Sequence, residues 1–321
     1  EACGMMMLRG VVACPALRRP RVARPALHSA AVRRTSTRSK ARTYAFRAAA
    51  APYALLGLVP ITSSTLAAYH LAGGREDEAR GCAFFAATGF LSLPLSLVMF
   101  AAVPFTLLFD GDRRRAPDWV QKAWGRLTTR CFYETTVEGA EKLAALEGAG
   151  AVFVSNHCSW LDIYALFELD ALPLKIVAKR EIFYIPLCGW VMHLIGHIPL
   201  DRSKGGAGVL ARCGELLDRD QPVFFFPEGT RSADGRLQAF KPGAFVLAAR
   251  KDVPVVPITI LGTAALMPPG NEFWQGGRLT KAGGVTVVVH DPVYPDRAAH
   301  DVVLDLSSRA RAAIAGGLPE R

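Results

Sequence analysis

At 321 residues the chain is long enough for one large domain with appendages. Its net charge of +10 invites a nucleic-acid reading, but residues 1–50 hold eleven Lys/Arg against Glu1 alone, while the other 27 basic and 27 acidic residues cancel. The body therefore has no polybasic stripe with interleaved aromatics, which argues against nucleic-acid binding by the body, and the scattered cysteines (3, 14, 82, 131, 158, 188, 213), with no C-x-x-C, argue against a disulfide framework or a zinc site.

Residues 5–50 are rich in Arg and Ala, with Ser and Thr between, and contain no Asp or Glu. That is the composition of an organelle transit peptide, and residues 1–50 are set aside from fold reasoning as a leader. A disordered basic tail that binds anionic lipid or nucleic acid is the alternative. Glu1-Ala-Cys-Gly precedes Met5-Met6-Met7, so the initiator is open. Residues 51–115 read as a hydrophobic helical hairpin. Residues 51–74 and 84–109 carry no Asp, Glu, Lys or Arg, and the charged break Arg75-Glu-Asp-Glu-Ala-Arg80 lies between them. The second segment is long enough for the roughly 20 apolar residues a membrane span needs. The first is interrupted by Pro60, Thr62, Ser63, Ser64 and His70. The pair is expected to span or dip into a bilayer. Arg113-Arg114-Arg115 at its exit puts leader and body on one cytosolic or stromal face by the positive-inside bias.

Residues 116–150 look like a short amphipathic connection through Trp119, Trp124 and Leu127. Strands are expected at 151–155, 174–178, 197–200, 222–226, 255–260 and 285–289, with helices across 162–169, 180–195, 206–219 and 241–251. This alternation predicts an α/β fold with a mostly parallel central sheet flanked by helices, occupying 116–321.

The chemistry starts at Ala151-Val-Phe-Val-Ser-Asn156-His157-Cys-Ser-Trp-Leu-Asp162. Five residues subtend about 140° on a helix, so His157 and Asp162 meet only if the histidine sits on the loop and the aspartate leans back from the first turn. A carboxylate on one imidazole nitrogen fixes the tautomer and leaves the other as a base for a hydroxyl proton. A second His-x4-Asp pair, His300 and Asp305, lies in what reads as an amphipathic helix, with no strand before it. Cys158 is a poor nucleophile candidate, because a base adjacent in sequence is seldom placed to activate it. Gly196-His-Ile-Pro-Leu-Asp-Arg202 and Phe224-Phe-Phe-Pro-Glu228-Gly229-Thr230-Arg231 each end a strand with a guanidinium, whose planar fork suits phosphate oxygens. Glu228 beside Arg231 is either an acceptor for a substrate hydroxyl or half of a loop salt bridge. Lys179 ends another strand and is either a third cation or a surface lysine. The prolines of Val253-Pro254-Val-Val-Pro257-Ile258 suit an edge strand or a pocket wall.

Asn156-His157-x4-Asp162, Gly196-x5-Arg202, Phe226-Pro-Glu-Gly-Thr-Arg-Ser232 and Val253-Pro-Val-Val-Pro-Ile258 resemble, in order and spacing, four blocks of the glycerolipid acyltransferases. Within them the chain is most similar to the 1-acyl-sn-glycerol-3-phosphate (lysophosphatidate) acyltransferases of plastid type. The resemblance covers roughly residues 119–295. It implies that His157 is the general base and Asp162 its orienting partner. Arg202, Glu228, Gly229, Thr230 and Arg231, with Lys179, would bind the glycerol-3-phosphate part of the acceptor, and Pro254 and Pro257 would line the acyl-donor side. The second block departs from the family's usual aromatic at Pro199 but keeps Arg202.

The implied reaction moves an acyl group from acyl-CoA or acyl carrier protein to lysophosphatidic acid, forming phosphatidic acid at a lipid bilayer. No other cofactor and no metal are expected. A plastid membrane is the expected location, with mitochondrion or endoplasmic reticulum as alternatives. The rivals are a different acyl acceptor, such as glycerol-3-phosphate or another lysophospholipid, and a non-catalytic lipid-binding protein. A hydrolase lacks a Gly-x-Ser-x-Gly elbow.

Overall fold

A computed structural model describes residues 59–319 apart from 112, 171–172, 186–187, 204, 271–276 and 282. The expected leader, and the first hydrophobic segment as far as residue 58, lie outside the described residues.

Helices α1 (Val59–Ala72) and α2 (Glu76–Phe109) form the expected hairpin. At 1.5 Å per residue, the 14 residues of α1 reach about 21 Å and the 34 of α2 about 50 Å, against a hydrocarbon core of about 30 Å. Only α2 among the described helices is long and apolar enough to cross a membrane, and just 17% of its most apolar stretch is buried. Its two halves differ. Towards the start Ala79, Cys82, Phe84, Phe85 and Ala86 are buried, whereas Leu97, Phe105, Leu107, Leu108 and Phe109 near the end are exposed.

Both ends of α2 are tied to the body. At the start, Glu76 pairs with Lys281 (2.7 Å) and Asp77 with Arg278 (3.2 Å), and the Leu279 N–H donates to the Asp77 carbonyl (2.9 Å). Gly81 lets the helix backbone pass against Gly277, where any side chain would collide with backbone. Just past the other end, Arg114 donates to the carbonyls of His193 and Leu194 (2.7 and 2.9 Å).

Helix α3 (Arg115–Thr129) then leads into a seven-stranded sheet. Its strands are β1 (Thr135–Glu138), β2 (Val152–Ser155), β3 (Lys175–Lys179), β4 (Ile198–Leu200), β5 (Val223–Phe225), β6 (Val255–Leu261) and β7 (Val285–Val289). The spatial order is β1-β7-β6-β2-β5-β3-β4. The five strands from β6 to β4 run parallel, while β7 is antiparallel to β6 and parallel to β1. The helices between strands are α4 (Asp162–Leu166), α5 (Cys188–Ile195), α6 (Ala207–Leu217), α7 (Gly243–Lys251) and the short α8 (Thr263–Leu266), and α9 (Val302–Gly316) closes the chain.

Period-2 alternation builds two cores. From β2, Phe153 joins a cluster with Phe84, Tyr164, Phe224 and Ile258 on one face. Val152 and Val154 join Phe245, Leu217, Leu306 and Ile314 on the other. The helices therefore cover both faces of a mostly parallel sheet, as the alternating pattern predicted.

Four sequence expectations need correction. The connection 116–150 contains β1, whose short half-exposed Thr-Thr-Val-Glu carries little apolar signal. The helix expected over 180–195 is a 3-10 turn, Arg180–Tyr184, followed by α5. His300 lies ahead of α9, because the Asp301 side chain caps that helix by accepting the N–H groups of Val303 and Leu304, each at 3.0 Å. Strand β6 is interior, not an edge. Pro257, which has no N–H to give, is tolerated there because it sits at a bulge that interrupts the β6–β7 ladder while its carbonyl still accepts the His290 N–H (3.0 Å): pairing moves from Ile258↔Val289 to Val255↔Val293, one residue longer on the β7 side.

Candidate active site

In the parallel half of the sheet the strands end on one side, where open α/β sheets place their ligands. His157 follows β2, Lys179 ends β3, Arg202 follows β4, and the Phe226–Arg231 loop follows β5.

The His157–Asp162 pair has the geometry that the spacing required. Strand β2 stops at Ser155, α4 starts at Asp162, and the histidine lies on the loop between. His157 Nδ1 is 2.8 Å from Asp162 Oδ2. That oxygen also accepts the backbone N–H groups of Cys158 (2.7 Å) and Ser159 (2.8 Å), and Oδ1 accepts the Thr263 hydroxyl (2.6 Å). Asp162 is fully buried, yet its charge is met by four donors, as a buried carboxylate requires. With Oδ2 accepting only, the proton between the residues sits on Nδ1, and Nε2 is the basic nitrogen.

The ring is oriented from its face as well. Phe226 stacks on the imidazole with ring centroids 3.8 Å apart and planes within 16°. The backbone of His157 is held at both ends: its N–H donates to Glu228 Oε1 (2.8 Å), and its carbonyl accepts the Ser232 N–H (2.7 Å). Asn156 fixes the end of β2 by pairing both its amide groups with the backbone of Ile260 (2.8 and 2.9 Å).

Glu228 is nearly buried, and its second oxygen accepts the Gln238 N–H (3.0 Å). Burial raises its pKa, while the two backbone amides oppose the rise. Its carboxylate thus joins the histidine loop to the loop after β5. The Arg202 guanidinium donates to the Gly229 carbonyl, so the cation after β4 reaches the loop after β5. Gly229 has φ +71°, a left-handed conformation natural to glycine. Thr230 is exposed and Arg231 is half-buried, and desolvation pulls the Arg231 guanidinium below its ordinary pKa while Asp162 opposes the shift. Lys179 is exposed and lies 3.5 Å from Glu181.

The proline block lies along β2. Pro254 precedes β6, and its carbonyl accepts the Val152 N–H at the start of β2 (3.0 Å), about 13 Å of strand from the end that carries His157. Both prolines are buried, Pro254 just ahead of β6 and Pro257 within it beside Val154. Among the described residues no cluster of metal-ligating side chains occurs.

Sequence reasoning did not single out Phe226, Thr263, Ser232 or Gln238 for the roles they hold here. Only Phe226 carried a local signal, as an aromatic at the mouth of a strand.

The Acyltransferase family model matches residues 134–261. The chain is 42% identical over 225 residues to the chloroplastic 1-acyl-sn-glycerol-3-phosphate acyltransferase of Brassica napus, a match covering 70% of this chain and 63% of that protein. It is 42% identical over 242 residues to the 1-acyl-sn-glycerol-3-phosphate acyltransferase of Chlamydomonas reinhardtii, covering 75% and 70%. The crystal structure of PlsC, the 1-acyl-sn-glycerophosphate acyltransferase of Thermotoga maritima, matches with a TM-score of 0.53 at 25% identity, covering 73% of this chain and 100% of that one. The chain thus spans less than two thirds of the Brassica relative and slightly more of the algal one. Identity at that level over most of both lengths, in a chain whose four blocks already pointed the same way, shows that it belongs to the family of the 1-acyl-sn-glycerol-3-phosphate acyltransferases.

Proposed function

We propose that the protein transfers a fatty acyl group from a thioester to the sn-2 hydroxyl of 1-acyl-sn-glycerol-3-phosphate, giving phosphatidic acid and a free thiol. The observation that carries this reading is the imidazole of His157, whose Nδ1 lies 2.8 Å from a carboxylate that four donors fix in place. Nε2 takes the hydroxyl proton as the alcohol oxygen attacks the thioester carbonyl. The tetrahedral adduct collapses by breaking the C–S bond, and the thiolate recovers the proton from the imidazolium. No covalent enzyme intermediate is required, because positioning plus general base catalysis suffices.

Arg202, Arg231 and Lys179 supply positive charge for the acceptor's phosphate, a feature that a plain esterase would not need. Glu228 acts by holding the His157 backbone. The donor is acyl-CoA or acyl carrier protein. The names of the chloroplastic relatives support a plastid location, and the arginines 113–115 past the hairpin support a body on the stromal face. The attachment of both ends of α2 to the body supports a hairpin that dips into the bilayer surface.

The test is purified full-length protein in detergent with a panel of lyso-acceptors and both donor types. Lysophosphatidate should be the preferred acceptor, and His157→Ala should lose about 10²–10⁴ of the rate while keeping its unfolding transition. Wild-type turnover by that variant would end the proposal.

A further inference from the structure

Two cations converge on Gly229. Arg202 donates to its carbonyl. The Lys241 side chain lies against the same residue: a Cβ built at position 229 would collide with the Lys241 Nζ, the nearest heavy atom to that point. Bond lengths then put the two charged groups no more than about 9 Å apart. Lys241 also starts from a fixed place, since its N–H donates to the Pro227 carbonyl of the same loop (2.9 Å). Arg231, two residues beyond Gly229 in the chain, is half-buried and feels the charge of Asp162, so it belongs to the same loop on the side of the histidine.

Nothing among the described residues balances Lys241 in an ion pair. The neighbouring carboxylate, Glu228, is turned inward and accepts the N–H groups of His157 and Gln238. Exposed like charges held around one glycine repel each other unless an anion sits between them. Lysine suits the outer position, because its ammonium is a mobile point charge with three donors, complementing the rigid fork of arginine.

We propose that Lys241 binds the acceptor's phosphate together with Arg202 and Arg231, as a specificity residue for phosphorylated acceptors. This rests on the acyl-transfer reading above, and the experiment separates the two. The full chain in detergent is compared with Lys241→Met and Lys241→Arg, using lysophosphatidate and the monoacylglycerol of the same acyl chain. For Lys241→Met, the KM for lysophosphatidate should rise tenfold or more with kcat within threefold. The kcat/KM ratio of the phosphorylated over the unphosphorylated acceptor should fall by a similar factor, and Lys241→Arg should restore it to within threefold. In parallel, sn-glycerol 3-phosphate should raise the melting temperature of the wild type and of Lys241→Arg, but not of Lys241→Met.

An unchanged KM would overturn the assignment. So would an equal loss on both acceptors, which would mark Lys241 as a strut for the loop. If the wild type transfers no acyl group to lysophosphatidate, the functional reading fails, and the melting shifts with sn-glycerol 3-phosphate still decide whether Lys241 holds a phosphate.

Discussion

Replacing Asp162 by asparagine separates the charge of the carboxylate from its geometry. Two backbone N–H groups, from Cys158 at 2.7 Å and Ser159 at 2.8 Å, point at Oδ2. An asparagine NH2 placed there would face donors, so its carbonyl oxygen takes that position and still accepts from His157 Nδ1–H. The NH2 then faces the Thr263 hydroxyl, which can turn to accept. Tautomer and ring orientation survive, and only the negative charge is lost. An imidazolium about 4 Å from a carboxylate is stabilised by up to about 4 kcal/mol at an effective dielectric near 20. A charged hydrogen bond exceeds a neutral one by about 1–2 kcal/mol. The expected loss is therefore about 2–4 kcal/mol in the transition state, or between about 30- and 1,000-fold in kcat. The assay follows thiol release with a chromogenic reagent, with a melting curve as a control for folding. Both KM values should stay within threefold, because neither substrate touches Asp162. A kcat within threefold of wild type would refute the assignment of His157 as a base supported by this carboxylate, as would a loss confined to KM.

Arg231→Lys should raise the KM for the phosphorylated acceptor about five- to thirtyfold with little change in kcat, because a point charge replaces a bidentate fork; an unchanged KM counts against the pocket. His197 is buried, with Nδ1 accepting the Ile176 N–H (3.1 Å) and Nε2 paired with Gln121 (2.9 Å). Burial pulls its pKa down to about 3 from 6.5, with Lys175 adding to the shift. Between those values the unfolded chain binds a proton that the folded one refuses, so stability is lost as pH falls below 6.5. Going from pH 7 to pH 5 should cost about 2 kcal/mol through this group, and chemical denaturation should show His197→Asn with a correspondingly flatter pH dependence. A chain begun at residue 116 should fail to give a cooperative unfolding transition. It loses buried Phe84, Phe85 and Met99, each worth about 1.5–3 kcal/mol against a total margin of about 5–15. A soluble, cooperatively folding fragment would contradict this.

The part of the site legible in the sequence is the part built from neighbours in the chain. His157 and Asp162 are five residues apart, and a strand end plus a helix start left one way for them to meet. The strands of the parallel half were legible because both their faces are buried, which gives unbroken apolar runs such as Val152–Val154. The rest depends on contacts across the chain. Thr263 reaches Asp162 from 101 residues away, and Glu228 reaches the His157 N–H from 71. The sequence marked Glu228 as chemically interesting, but its burial against two backbone amides needed the fold. The prolines misled for a related reason: a missing donor argues for an edge only if the ladder needs that donor, and Pro257 sits at the bulge, where it does not.

The same limit explains the boundary that the sequence suggested between a membrane hairpin and a catalytic body. Charge-free stretches at 51–74 and 84–109 read as a hairpin that spans or dips into a bilayer, because composition does not show what a helix packs against. In the structure α2 is part of the core beneath the site. The Tyr164 ring lies 5.3 Å from Phe84, its hydroxyl is 3.4 Å from that of Thr88, and the Trp124 indole donates to the Thr88 carbonyl (3.1 Å). Tyr164 is on α4, two residues after Asp162, so the carboxylate that orients the histidine and the helix with the exposed apolar end share one packed unit. On the proposed function, a catalytic head on a flexible tether would have to meet a bilayer-bound acceptor in every orientation. A site built onto the same helix that exposes Phe105, Leu107, Leu108 and Phe109 would meet it in one, and such a fixed approach would spare the entropy of orienting a lipid alcohol toward His157.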